Sequence, residues 1–417
     1  MTHDVDFLII GGGAAGIGAA RRLSTLGASP LLLEAMDRIG GRAETLRLHG
    51  HALDLGCGWL HSAGRNAWTK IAEEAGYALD RRAPAWGRQY RDLGFPPAER
   101  DAATAAIARW YERLADDPPA SDRASDAMEA GGEWNAFIEA RAGFISGFSP
   151  ERISVEDYVA YDDAATDENW RVVAGYGTLV AASLPPLLSV RTGTAVRRLD
   201  IEREGVRVVT DAGTIRARTV ILTVSTDILA GNTIAMPAAL DPWRDAAALL
   251  PLGRNEKVFL EIVGDAPFED ETHVVGDPRS RTTGSYFIRP LGAPVIECFL
   301  GGDGARVLDE GPKAGFDMAL GELVRLFGSQ VNRCLRPLAA THWSGMATIG
   351  GAYSCALPGH ARARADLARA FEDRVFFAGE ATSRSDFSTA HGAHDSGVRA
   401  ADEAFRALAG PRVRQGA

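Results

Sequence analysis

The stretch Val5–Arg42, VDFLIIGGGAAGIGAARRLSTLGASPLLLEAMDRIGGR, decides the fold. Its first residues, Val5, Phe7, Leu8, Ile9 and Ile10, form an almost continuous apolar run, as a central parallel strand needs when both sheet faces are covered. Gly11, Gly13 and Gly16 follow at GxGxxG spacing, and Ile17–Leu26 then carries apolar residues at helical intervals. Leu31–Leu33 is a second strand ending in Glu34, so the unit reads strand, helix, strand with glycines at the first turn. The glycines have separate physical roles. Gly11 permits a tight turn, Gly13 leaves room for a pyrophosphate, and Gly16 lets helix and strand close up. Free N–H groups and the dipole at the helix start favour the phosphates. Glu34, 23 residues after Gly11, stands where a carboxylate accepts from ribose hydroxyls and repels a 2'-phosphate. Gly40-Gly41-Arg42 adds a second approach to phosphate, with a guanidinium fork as donor; a surface loop with a solvated arginine is the plainer alternative.

Outward from this unit, 417 residues allow two or three domains, and no apolar run approaches the roughly 20 residues needed to cross a bilayer. The net charge of -10 argues against nucleic acid and anionic lipid as partners. The four cysteines, Cys57, Cys298, Cys334 and Cys355, lie far apart with no CxxC, so neither a disulfide framework nor a zinc site is expected. The start MTHDVDFLIIGGG carries neither the basic n-region nor the small-residue cleavage site of a secretory leader, so a cytoplasmic protein is expected. Of the 45 basic residues only three are lysines, Lys70, Lys257 and Lys313, a skew that a GC-rich genome explains but that makes each lysine conspicuous.

The segment Gly11–Arg42 resembles the amino terminus of the flavin-containing amine oxidases, a group spanning monoamine oxidases, polyamine oxidases and flavin-dependent histone demethylases. The resemblance implies an α/β fold: a Rossmann-like FAD-binding domain of the GR2 flavoprotein type with an inserted α+β substrate-binding domain. Residues 1–84, 170–250 and 331–417 would build the FAD domain, and 85–169 with 251–330 the substrate domain. The family also implies an uncharged amine oxidised to an imine by hydride transfer, hydrolysis to aldehyde or ketone, and reoxidation by O2 to H2O2. A homodimer is compatible with this reading. A desaturase or other carbon-carbon oxidase, an amine dehydrogenase with another acceptor, and a non-catalytic FAD scaffold are the rivals.

Further residues enter through the same resemblance. LDLGCGWLH, Leu53–His61, resembles the polyamine-oxidase segment near the flavin, which makes Trp59 and His61 active-site candidates, although a lone histidine is often only a hydrogen-bonded structural group. Lys257, before the apolar run Val258–Leu260, matches the family lysine that holds a water at flavin N5. Val196 matches a valine at the adenine edge, Trp343 lies upstream of the flavin-facing segment, and Tyr353 would form one wall of an aromatic amine cage. Thr389 stands where monoamine oxidases carry the second cage tyrosine, and Ala390 opens the last helix beside it. Glu380, after the apolar run ending at Phe377, would reach a cofactor hydroxyl. Ala352 replaces the cysteine that monoamine oxidases link to their flavin, so the FAD is expected to be non-covalent. Acidic residues between Glu151 and Glu168 read as a solvated helix face before a polyamine-attracting rim. Helices are predicted over Ala102–Leu114, Glu133–Ala142 and Phe316–Phe327, and separate strands over Thr214–Arg218 and Val220–Val224.

Overall fold

The computed structural model describes residues 3–409. Its larger sheet has the strand order Ser189–Arg191, Leu31–Leu33, Val5–Ile10, Gly213–Leu222, Gly205–Thr210, Val196–Glu202, with Val375–Phe377 also pairing to Gly213–Leu222. Val5–Ile10 runs parallel to both of its neighbours, which confirms the strand-helix-strand reading. The continuous apolarity of these strands now has a cause. Leu8, Ile10, Leu31, Leu33, Val220 and Leu222 pack into one core, whereas Phe7, Ile9, Leu32, Ile221 and Phe376 pack into another on the opposite face. Every such side chain is taken from water, at about 1.5–3 kcal/mol for a fully buried large aliphatic.

The second face is closed by the first helix, Ala14–Thr25, against the last, Ala390–Ala409. Their contact is built of Ala15, Ala19 and Ala20 against Ala393, Ala400, Ala401 and Ala404, small enough for the two backbones to lie close. Trp68 and Tyr176 anchor a third cluster with Ile17 and Leu60.

A five-stranded antiparallel sheet, in the order Thr272–Val275, Ser285–Ile288, Val295–Gly301, Asn255–Ile262, Leu335–Ala340, forms the second layer, with the helix Pro312–Phe327 packed on it. The helices Pro97–Asp116, Asn135–Ser146 and Val155–Ala164 are inserted in sequence between two strands of the larger sheet, Leu31–Leu33 and Ser189–Arg191, the first two close to their predicted spans. Among the described residues no helix is long and apolar enough to cross a membrane.

Two expectations change. Thr214–Arg218 and Val220–Val224 are one strand, Gly213–Leu222, because Thr219 does not break it: its hydroxyl donates to Asp6 O at 3.0 Å and the residue is fully buried. Leu335–Ala340, placed with the cofactor segments on sequence, pairs antiparallel with Asn255–Ile262 and so belongs to the second sheet. An edge strand added after a long excursion leaves no local mark of which sheet it joins.

Candidate active site

The cradle at the end of Val5–Ile10 is held by backbone geometry. Gly11 has φ +109, and a Cβ on Gly16 would overlap the Gly11 carbonyl, so neither position accepts a side chain. Gly13 differs: a Cβ there would meet nothing of the protein closer than 3.9 Å, and the room lies on the cavity side. No side chain caps the helix that starts at Ala14, which leaves its first N–H groups to a ligand. Room for a close-approaching phosphate, with the Glu34 carboxylate beside it, fits a dinucleotide. Glu34 is itself fixed by the Gly12 and Met36 N–H groups at 2.6 and 2.8 Å.

Arg42 reaches across to the carboxyl-terminal segment, donating to Ala352 O and to Glu380 Oε1, the latter at 3.1 Å. Glu380 also accepts from Ser354 N at 3.1 Å, Ser354 Oγ at 2.6 Å and Ser388 N at 2.9 Å. Burial alone would raise its pKa, but Arg42, Arg364 and these donors hold it below the ordinary carboxylate range. It is a buried anion at neutral pH.

Lys257 is buried on Asn255–Ile262 and donates to Asp54 O at 2.7 Å and to Glu297 Oε1 at 2.8 Å. Glu297 escaped the sequence reading, although a charge inside the apolar strand VIECFLG was its signal. Trp343 is buried with its backbone N–H on Glu256 Oε2 at 3.0 Å and its indole donating to Leu55 O at 3.4 Å. Glu256 also takes the Thr341 hydroxyl at 2.6 Å, so this missed acid positions the indole.

Beyond Lys257 the walls become aromatic. Trp59 meets Trp86 edge-on at 4.5 Å and Phe287 at 6.0 Å, while the Arg171 guanidinium lies 5.2 and 5.0 Å from Trp59 and Phe287. His61 Nδ1 bonds Asn169 Oδ1 at 2.6 Å, and burial lowers its pKa despite that bond. Tyr353 donates its hydroxyl to Phe144 O at 2.6 Å, which ties it to the helix Asn135–Ser146. Thr389 donates to Asp386 O at 2.6 Å and accepts from Gly392 N at 3.0 Å, so its hydroxyl caps the last helix. Ala390 O accepts from the Trp68 indole at 2.9 Å.

These groups share one cavity of 1370 Å³. Its lining includes Gly11, Gly13, Glu34, Arg42 and Val196 of the cradle, and also His61, Lys257, Trp343, Tyr353, Glu380, Thr389 and Ala390. Gly16 alone of the sequence-predicted residues is off the lining, since it sits beneath Gly11. Tyr111, Arg141, Tyr158 and His273, none of which the sequence singled out, line it as well. Of the acidic run, Asp157 is the departure from a solvated face: it is buried and pairs with Arg364 at 2.5 and 2.8 Å.

A family model for flavin-containing amine oxidoreductases matches residues 87–404, and one for NAD(P)-binding Rossmann-like domains matches residues 9–75. Polyamine oxidase 4 of Oryza sativa subsp. japonica is 26% identical over 434 residues, covering 95% of this chain and 88% of that protein. Lysine-specific histone demethylase 1 homolog 1 of the same source is 27% identical over 453 residues, 96% of this chain and 52% of its own. Pseudooxynicotine dehydrogenase of a Pseudomonas species is 25% identical over 300 residues, 63% of this chain and 60% of its own. With well over half of its length matched and a dinucleotide cradle opening into the same cavity, the chain belongs to the flavin-containing amine oxidoreductases, enzymes that act on the CH–NH group of amines.

Proposed function

We propose that the chain oxidises a small amine to an imine with non-covalent FAD, that water hydrolyses the imine to an aldehyde or ketone, and that O2 is reduced to H2O2. The observation that carries this reading is the continuity of the cavity from the Gly11–Gly16 turn and Glu34 to the aromatic walls around Trp59 and Tyr353. When bound, FAD supplies the acceptor for the hydride that leaves the carbon next to nitrogen.

The protein's own groups serve binding and proton handling. The amine must be uncharged, because an ammonium nitrogen has no lone pair to stabilise the carbon that loses hydride. His61, held neutral by burial and fixed through Nδ1, is the group offered for that proton. Lys257 spends two of its three N–H donors on Asp54 and Glu297; the third would hold a water at the reacting end. The aromatic walls exclude bulk water and orient the C–H bond. Non-covalent attachment is supported by Ala352 at the position of the family's linking cysteine. Cys57 lines the cavity, but burial pushes its thiol up to about 12, so it stays protonated and a poor nucleophile.

Anaerobic mixing with amines, with product identification, tests this reading: bleaching of the flavin and a carbonyl product are expected. Lys257→Met is expected to slow flavin reduction or reoxidation by about 10-fold or more, with the flavin content retained. Unchanged rates for both half-reactions would remove Lys257 from the mechanism. A second acceptor has one observation in its favour, a relative named as a dehydrogenase. Peroxide formed in step with amine consumed supports O2, and turnover only with a quinone or cytochrome supports the other acceptor.

A further inference from the structure

Four arginines line the cavity, and the protein itself neutralises three of them: Arg42 with Glu380 at 3.1 Å, Arg100 with Asp92 at 2.6 Å, Arg197 with Asp211 at 2.7 Å. Lys257 is likewise matched by Glu297 at 2.8 Å. Arg141, on the helix Asn135–Ser146, is the exception. Among the described residues it has no ion pair, and its Nε is buried without a hydrogen-bond partner. Neither neighbouring acid pairs with it. Glu139 on the same helix pairs with Arg281 at 3.6 Å. Asp162, also on the cavity lining, forms no ion pair among the described residues, and burial, then Asp163, raises its carboxyl pKa. A partly buried guanidinium without a counter-charge is unfavourable unless something else supplies that charge.

Other polar groups face the same cavity. The Arg141 charge acts on Tyr111, Tyr158 and His273, all on the cavity wall. The Tyr111 and Tyr158 hydroxyls are 2.7 Å apart, so one donates to the other and the acceptor's own hydrogen is left for an outside partner. His273 Nε2 bonds Ser285 Oγ at 2.7 Å, while Nδ1 is buried without a partner. Burial first, then Arg141, pushes His273 down to about 4, so the ring is neutral. A ligand that only accepts selects the tautomer in which Ser285 Oγ donates to Nε2 and Nδ1 carries the hydrogen.

We infer that Arg141, His273 and the Tyr111–Tyr158 pair form a carboxylate-binding pocket, so that the amine oxidised here also carries a carboxylate. A guanidinium fork, a phenol and an imidazole N–H are all donors, and their complement is a planar anion that only accepts. One cation matches one carboxylate and leaves a dianion under-neutralised. The cationic chain of a polyamine meets repulsion in the same place.

The inference rests on the amine-oxidising function proposed above, and the experiment separates the two. Anaerobic flavin reduction in the holoenzyme is measured for pairs that differ only by a carboxylate: L-phenylalanine and 2-phenylethylamine, L-lysine and cadaverine, 4-aminobutyrate and propylamine, with spermidine as the polyamine. In at least one pair the acid is expected to win, and Arg141→Met to cut that advantage by about 10- to 100-fold, the loss of a charged hydrogen-bonded contact. Binding without turnover is read separately, by titrating benzoate and hexanoate into the holoenzyme and following the flavin spectrum. Saturable binding that weakens in Arg141→Met, and less in Arg141→Lys, supports the pocket even if no amine is oxidised, which would sink the function alone. Should the methionine variant not fold, the wild-type pairs and the lysine variant still decide. Reduction by spermidine or the plain amines ahead of every acid, with carboxylate binding absent or indifferent to Arg141, overturns the pocket and leaves amine oxidation standing.

Discussion

The two ends of the cavity are built on opposite rules. In the cofactor cradle the charged groups are satisfied by the protein before any ligand arrives: Glu34 by two backbone N–H groups, Glu380 by Arg42, Ser354 and Ser388. In the proposed substrate chamber Arg141, His273 Nδ1 and one tyrosine hydrogen are left open. A site that always receives the same cofactor gains from being rigid in advance, because nothing has to reorganise when it binds. A site that chooses among amines needs unsatisfied groups, since an unpaired buried donor is what penalises the wrong ligand.

The border between the two regions offers the largest effect. Arg364 donates to Asp157, on the helix that carries Tyr158, and to Ser354 Oγ at 2.9 Å, and Ser354 in turn holds Glu380. Both partners of the ion pair are almost fully buried, at 1% and 3% exposure. Asp157→Asn removes the guanidinium's ion-pair partner and is expected to cost about 3–5 kcal/mol in urea unfolding. A loss under ~1 kcal/mol would mean that the two ends are not joined through this network, and the contrast would then be one of separate sites.

The glycines sharpen the contrast within the cradle. Gly16→Ala forces a methyl against the Gly11 carbonyl and is expected to destabilise the protein by about 3 kcal/mol. Gly13→Ala has free space on the protein side, so apoprotein stability should hold while FAD affinity falls. Equal effects at the two positions, measured by unfolding of the apoprotein and flavin retention on dilution, would break the assignment of Gly13 to the ligand.

The chamber's opposite character should appear as acid lability. The folded pKa of His273, about 4, lies below the ordinary 6.5, so as pH falls the unfolded chain takes up the proton first. The His273 contribution to stability is therefore expected in full above about pH 6.5 and to be lost down to about pH 4, on the order of 3 kcal/mol. His273→Gln should flatten that part of the stability curve, whatever the variant's stability at neutral pH. A slope across the same interval unchanged in the variant would show that other groups carry the acid sensitivity.

The same division explains what could be read in the sequence. The cradle is local: Gly11, Gly13, Gly16 and Glu34 fall within one strand-helix-strand unit, and each has a spacing with a physical meaning. Glu380 and Lys257 entered through the family resemblance, since their places at the end and start of apolar runs mark them only as charges beside buried strands. The open donors of the chamber come from segments far apart, at Tyr111, Arg141, Tyr158 and His273, and nothing near Arg141 distinguishes it from an arginine on a solvated helix face. Asp157 was hidden in the same way, one buried acid among exposed ones. Burial and partnership are properties of the packed molecule, and helical spacing alone did not say which side of Asn135–Ser146 turns inward.

Thr389 gives the smallest effect and tests the contrast where the ends meet. Family likeness puts it at an amine-cage position, yet its hydroxyl is already used twice: it donates to Asp386 O and accepts from Gly392 N at the start of the last helix. A committed hydroxyl belongs to the cradle's rule. Thr389→Ala removes the cap and should cost about 1 kcal/mol of stability, and Thr389→Ser should restore it because the oxygen is what the Gly392 N–H needs. If Thr389 acts only as a cap, amine reduction rates at a temperature well below unfolding should follow neither substitution. A fall in reduction rate that serine rescues without a parallel change in stability would move the hydroxyl from the cradle to the chamber, and the boundary between satisfied and open groups would then run through the start of this helix.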